Sequence, residues 1–538
     1  MLDGCVPWPE SLAREYRARG YWNDETLGRW PTDPGRGERI ALRTADRTLT
    51  YAQLDLAADR LAAGLRARGL AAGDRVVVQL PNVAEFVVLS CALFRMGALP
   101  VFALPAHRAA EIVHLVEVSG AVAYVCPDEV LGFDYRALAT EVQGSTGTLR
   151  HILVAGDPGP YTALADVDAE PERLPAPDPQ DVALFLLSGG TTGKPKLIPR
   201  THADYAYQLR QSARLCGVGP DSTYLVALPA AHNFALACPG VLGTLRVGGT
   251  VALAATPSPE DCFPLLAGSR DAVTSLVPPL VPLWLEIGKR TSHDLSGLKL
   301  LQVGGSRLDP VTAARVAPEL GCTLQQVYGL AEGLLNYTRL DDPAEVVVET
   351  QGRPLSPGDE IRIVDENGID VAPGQPGELL ARGPYTLRGY YRAAEGNRTR
   401  FTADGYFRTG DVVRLTPSGN LAVVGRLNDV INRGGEKVPA EEVEGHLLAD
   451  PRIRMAAVIG LPDPYMGEQT CACVVPQDPA DPPTLAEVHL ALRARGLAAY
   501  KLPDRVEPFA TLPLTGVGKV DKRSLTGLVL ESLAVRPS

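Results

Sequence analysis

Through the first 400 residues, short β-rich runs alternate with amphipathic segments. Residues 75–80 read as a buried strand, and 84–96 as the helix that follows it. A helix is predicted over 109–118, with short strands at 122–126 and 151–154. Alternation of this kind predicts α/β layers around largely parallel sheet. A proline-rich connector at 174–180 leads to a strand at 181–187, which runs into a glycine loop. Near residue 350 the texture changes. Strands at 360–364, 377–381 and 421–424 are separated by the turn signals Asp365-Glu366-Asn367-Gly368 and Pro417-Ser418-Gly419. They predict a small β-rich subdomain over 350–427. After Gly425-Arg426-Leu427-Asn428-Asp429 a separate α+β tail is expected, with a helix at 440–448 and strands at 455–459 and 471–475. The expected division is a large N-terminal part, 1–427, and a small C-terminal part, 428–538.

Length and composition sharpen this outline. At 538 residues the chain exceeds a single ordinary core, so two or more domains are expected. Hydrophobic residues make up 45% and charged residues 21%, the balance of a soluble globular protein. A net charge of −11 argues against a surface that neutralises nucleic-acid phosphate. The nine cysteines are scattered without a CxxC pair, which predicts reduced thiols and a cytoplasmic location. The N-terminal residues carry no apolar run of signal-peptide type. Arg95, Gly97 and Pro100 interrupt the most apolar stretch, 86–104, so a buried helix and strand are expected there and no membrane span.

The sharpest chemical signal is Leu187-Ser188-Gly189-Gly190-Thr191-Thr192-Gly193-Lys194-Pro195-Lys196. Glycines let backbone approach an anion, while N–H groups, hydroxyls and lysines supply donors and positive charge. A Walker A loop fits poorly, because proline follows Lys194 and the opening spacing does not match. Four further segments follow in order: Tyr328-Gly329-Leu330-Ala331-Glu332, Tyr406-Phe407-Arg408-Thr409-Gly410-Asp411, Gly425-Arg426 through Lys437, and Pro513-Leu514-Thr515-Gly516-Val517-Gly518-Lys519. Together with the glycine loop they resemble the motifs of the adenylate-forming superfamily, which includes acyl-CoA synthetases, luciferases and the adenylation domains of nonribosomal peptide synthesis. The resemblance covers essentially the whole chain.

That resemblance implies two half-reactions on ATP and Mg²⁺. A carboxylate attacks the α-phosphate to give an acyl-adenylate and pyrophosphate, and a thiol then takes the acyl group. Neither step needs a protein nucleophile, so the work is positioning and charge stabilisation. By family position, Ser188, Gly189, Gly190, Thr191, Thr192 and Lys196 are expected at the β- and γ-phosphates, and Glu332 at Mg²⁺. Gly304, Gly305, Val327, Tyr328, Gly329 and Val423 are expected around AMP, with Asp411 and Arg426 at the ribose. Lys519 resembles the lysine that bridges carboxylate and α-phosphate. His232 joins Lys519 and Glu332 near the reacting atoms, as pocket wall and not as base, since the acid is already ionised at neutral pH. Asn428 and Asp429 occupy the hinge of a mobile C-terminal domain, and Gly434, Gly435 and Lys437 are expected to line a thiol tunnel.

Residues 228–240 carry the choice of acid. Amino-acid-activating relatives place aspartate where this chain has Asn233; a neutral amide favours an acid without an α-amino group and can bond an ortho hydroxyl. With Gly304-Gly305-Ser306 and 325–328, the stretch resembles the stand-alone aryl-acid activating enzymes of siderophore pathways, which serve an aryl carrier protein through its phosphopantetheine thiol. Phe234, Cys238, Gly305, Ser306, Val327 and Leu335 complete the expected acid pocket. Cys238 and Leu335 stand where dihydroxybenzoate enzymes tend to have serine and valine, which points to salicylate. The alternatives are 2,3-dihydroxybenzoate or 3-hydroxypicolinate as the acid, an aryl-CoA ligase, or a non-catalytic binding module.

Overall fold

Three consecutive valines in the strand Arg75–Val78 are buried on both faces, as a strand covered by helices on either side must be. The computed structural model describes residues 2–29, 35–188, 195–433, 436–463, 466–495, 497, 499–516 and 518–535. The helix Ala84–Met96 follows that strand and buries eleven of its thirteen residues. It stops at Gly97, whose φ of +70° forms the left-handed cap. Arg95, inside this apolar stretch, is 2% exposed and answered by Asp55 at 2.5 Å and Asp59 at 2.9 Å. Burying its charge is tolerable only because both carboxylates are there. The strand Leu99–Phe102 comes next. Among the described residues no helix is long and apolar enough to cross a membrane.

Two sheets dominate the N-terminal part. A seven-stranded sheet runs in the order Leu197–Thr201, Val182–Leu187, Leu99–Phe102, Arg75–Val78, Ala123–Pro127, His151–Ala155, Thr162–Ala163. A nine-stranded sheet has Thr223–Val226, Ala272–Leu276, Leu298–Gly304 and Thr323–Gly329 as parallel neighbours at its centre. Side chains alternate between faces along each strand. Val76 and Val78 of the first sheet and Tyr224 and Val226 of the second therefore enter one shared core, with the helices Tyr51–Ala67, Ala84–Met96, His202–Leu215 and Gly240–Val247. Val77 and Leu225 face outward into separate clusters. Each large apolar side chain in these cores contributes about 1.5–3 kcal/mol.

A four-stranded antiparallel sheet follows: Glu360–Val364, Gly377–Arg382, Phe407–Leu415, Leu421–Arg426. The last part of the chain builds a five-stranded sheet around the long hairpin Ile453–Asp463 and Gly467–Pro476, flanked by the helices Ala440–Leu448, Leu485–Ala494 and Lys522–Val535. The helices predicted at 84–96 and 440–448 and the strand at 360–364 coincide with those observed. The strand predicted at 75–80 ends earlier, at Val78; just beyond it the Gln79 side chain bonds the Leu104 and His107 carbonyls. Phe407–Leu415 was not anticipated as a strand: Arg408-Thr409-Gly410-Asp411 breaks its apolar alternation.

Candidate active site

The strands Val182–Leu187 and Leu197–Thr201 form the hairpin that carries the glycine loop. Its base is closed by Ser188 N–H on the Lys196 carbonyl and Lys196 N–H on Ser188 Oγ, each at 3.0 Å. Gly189, Gly190, Thr191 and Thr192 lie outside the described residues. Lys196 Nζ stands 5.0 Å from the centre of the Tyr390 ring, and the Tyr390 hydroxyl donates to Glu332 Oε1 at 2.7 Å. Tyr390 thus joins the base of the loop to Glu332. Burial pushes the Glu332 carboxyl upward in pKa, and the Tyr390 bond opposes that shift.

Asp411 faces Arg426 across two strands of the four-stranded sheet. Arg426 Nε lies 2.9 Å from Asp411 Oδ1, and the Tyr328 hydroxyl donates to Oδ2 at 2.6 Å. Both oxygens of this 3%-exposed carboxylate therefore have donors. Tyr328 stands near the end of Thr323–Gly329, where Val327 pairs with Gly304. Val423 packs on the same apolar cluster as Tyr328, and its N–H donates to Gln351 Oε1 at 2.8 Å.

On the other side of Gly304 lies the short helix Asn233–Ala237. His232 caps it, its Nδ1 accepting the Phe234 N–H at 3.3 Å. The Phe234 ring leaves no room beside Gly304: a Cβ there would come 3.2 Å from two ring carbons and 2.6 Å from the Val327 carbonyl oxygen. Asn233 Oδ1 accepts a hydrogen bond from the buried Tyr205 hydroxyl at 2.8 Å. Cys238 Sγ donates to the Asn233 carbonyl at 3.6 Å, and burial pushes that thiol up to about 12. Leu335 is buried opposite Gly329, with its Cδ2 only 2.5 Å from where a Gly329 side chain would begin. Ser306 is exposed.

The loop from the C-terminal sheet completes the arrangement. A side chain at Gly305, whose φ is +92°, would begin 3.3 Å from Lys519 Cε. Burial and then the Arg426 charge lower Lys519 to about 8, against the pull of Asp411, Glu441 and Glu332. His232 is lowered to about 4, by burial first and Lys519 second, so it is neutral at pH 7. Asn428 and Asp429 lie in the turn Leu427–Asp429, and Asp429 is 3.7 Å from Lys522. Lys437 is in the strand Glu436–Pro439, paired with Asn432; Gly434 and Gly435 lie outside the described residues.

A family model for AMP-binding enzymes matches residues 32–391, and one for the AMP-binding enzyme C-terminal domain matches 442–519. The chain belongs to the AMP-binding enzyme family. This family uses ATP, and the chain is a ligase. It is 52% identical over 535 residues to a 2,3-dihydroxybenzoate-AMP ligase of Bacillus subtilis (strain 168), covering 99% of each. To a salicyl-AMP ligase / salicyl-S-ArCP synthetase of Mycobacterium tuberculosis it is 49% identical over 534 residues, 97% of this chain and 94% of the relative. The apo structure of Mycobacterium smegmatis MbtA aligns with a TM-score of 0.75 and 49% identity, over 97% of this chain and 98% of that one. The resemblance read from the motifs is thereby borne out.

Tyr205, Arg200 and Tyr390 lie outside the motifs of the sequence. Arg200, Asp204 and Gln208 recur every fourth position at the start of a helical pattern, a legible stripe of polar residues. Tyr390 carries no such signal. Gly333 is also essential to the geometry: at φ +140° a Cβ would lie 2.3 Å from the Tyr385 carbonyl oxygen and 2.4 Å from Thr386 Cα, both backbone. Gly333→Ala is therefore expected to lower stability by about 2 kcal/mol and displace Glu332. Thermal denaturation together with the KM for ATP checks this; an unchanged Tm and KM would contradict it.

Proposed function

We propose that this AMP-binding enzyme activates an ortho-hydroxy aryl acid, salicylate, to its adenylate and passes the acyl group to the phosphopantetheine thiol of an aryl carrier protein. The observation that carries the proposal is Lys519 standing at Gly305, with the Asp411–Arg426 pair on one side and the helix of Asn233 on the other. The acid carboxylate oxygen bonds to the α-phosphorus while the bond to the β-phosphate oxygen breaks, and pyrophosphate leaves. The acid is already ionised, so no proton need move. The Lys519 ammonium spans carboxylate and α-phosphate, Asp411 and Arg426 take the ribose, and Ser188 and Lys196 close the loop over the β- and γ-phosphates. Glu332 offers the hard oxygen donor that suits magnesium, and the Tyr390 hydroxyl donates to it. The ion, when bound, supplies charge neutralisation on the phosphate oxygens. For the second step the part beyond Asn428-Asp429, residues 428–538, turns about that hinge and brings 434–437 to the thiol. The thiol sulfur then bonds to the acyl carbon as the bond from that carbon to the AMP phosphate oxygen breaks; the thiol proton passes to solvent and AMP leaves.

Neutral Asn233 favours an acid without an ammonium group. Cys238 Sγ is spent on the Asn233 carbonyl and Leu335 is apolar, so neither welcomes a 3-hydroxyl. Apolar walls reject an added hydroxyl by only about 100-fold. Pyrophosphate exchange across an acid panel is thus expected to favour salicylate, with slower turnover of 2,3-dihydroxybenzoate; a preference for the latter or for 3-hydroxypicolinate contradicts the assignment. Thiolation with coenzyme A set against a carrier protein separates the two acceptors.

Two predictions concern Lys519. Lys519→Ala should cut adenylation by roughly 10³-fold or more and largely spare thioester formation from pre-made adenylate; equal loss in both half-reactions contradicts the role. A lysine lowered to about 8 loses its proton as pH rises through that value, so kcat/KM for ATP should fall above pH 8. Bound ATP raises that pKa, so kcat should persist to higher pH. A kcat/KM flat to about pH 10 would contradict this.

A further inference from the structure

A buried polar chain runs from the hairpin strand Leu197–Thr201 to Asn233. Arg200, fully buried, donates from Nε to Asp204 Oδ1 at 2.8 Å, from Nη2 to Gln208 Oε1 at 2.9 Å, and from Nη1 to the Ala331 carbonyl at 3.2 Å. Its guanidinium carbon lies 4.8 Å from the centre of the Tyr205 ring. A cation over that face draws charge from the ring and strengthens the phenol as a donor. The Tyr205 hydroxyl, fully buried, donates to Asn233 Oδ1 at 2.8 Å.

This bond has a consequence for the amide. A side-chain amide has an acceptor end and a donor end. Turning Asn233 over would set its NH2 against the phenol and leave the buried phenol proton without its acceptor. Asn233 is 8% exposed, and its Nδ2 has no hydrogen-bond partner among the described residues. The donor end is the end left for a ligand.

We propose that Tyr205, clamped by Arg200, is a positioning residue that locks the Asn233 amide with its NH2 toward the bound acid, so that the site selects aryl acids with a hydrogen-bond acceptor beside the carboxylate. A phenolic oxygen accepts, while an aromatic amine at the same ring position offers donors and a poor lone pair. The proposal rests on Asn233 contacting the acid.

The test is pyrophosphate exchange with salicylate, benzoate and 2-aminobenzoate for the wild type, Tyr205→Phe, Asn233→Ala and the double variant. The wild type should prefer salicylate over both other acids. Tyr205→Phe should raise the KM for salicylate roughly tenfold, hold the KM for ATP within about twofold, and collapse the preference over 2-aminobenzoate. In the Asn233→Ala background the same change should add less than about twofold, because the phenol acts through the amide. Equal losses for all three acids, a parallel rise in the KM for ATP, or full additivity in the double variant would overturn the proposal. If Asn233→Ala leaves the acid preferences intact, the acid-contact reading fails and the proposal with it. If Asn233→Ala collapses them and Tyr205→Phe does not, only the positioning role fails. Should Tyr205→Phe lose its fold, the wild type decides alone: 2-aminobenzoate activated as well as salicylate overturns the proposal.

Discussion

Lys519 meets the N-terminal groups beside Gly305, which has no side chain. The backbone there is left-handed, and a Cβ would crowd both Lys519 Cε and Val277 Cγ1. Its neighbour Gly304 is needed for a different reason, the close seat of the Phe234 ring and the Val327 carbonyl. Two adjacent glycines thus set the thickness of the wall between the Asp411–Arg426 side and the Asn233 side. Lys519 stands at that wall, electrostatically coupled to His232 on the Asn233 side and to Arg426, Asp411 and Glu332 on the other.

The charges of this site are costly and only partly balanced by the protein. Asp411 is satisfied by Arg426 and Tyr328, whereas burial raises the Glu332 carboxyl pKa despite the Tyr390 hydroxyl and the Arg426 charge. Lys519 is lowered even though three carboxylates favour its protonation, because desolvation and Arg426 outweigh them. A polyanion entering here would relieve Lys519 and Arg426 together. Electrostatic imbalance of this kind is what a site held ready for charge looks like.

Much of this was legible in the sequence. The buried helix at 84–96 announced itself by its apolar content and its terminal glycine, and the strand before the glycine loop by its apolar run. Strand Phe407–Leu415 was hidden because Arg408, Thr409 and Asp411, which pair with Glu378, the Leu379 carbonyl and Arg426, spoil the alternation of a half-buried strand. The same holds around Asn233. Asn233 could be found by its place in a motif, but its partner Tyr205 lies 28 residues earlier and meets it only in the folded core. Tyr390, 58 residues after Glu332, is likewise a product of the third dimension. Motifs reveal groups that face a ligand; the groups that aim them are dictated by packing and leave little trace in order or spacing.

The central claim is that acid and nucleotide occupy one continuous site divided by Gly304-Gly305 and bridged by Lys519. Calorimetric titration with a sulfamate-linked analogue of salicyl adenylate tests it most directly, set against AMP and salicylate titrated separately. One continuous site predicts that the joined molecule binds at least about 100-fold more tightly than either part. Binding of the joined molecule no tighter than AMP alone would contradict the account.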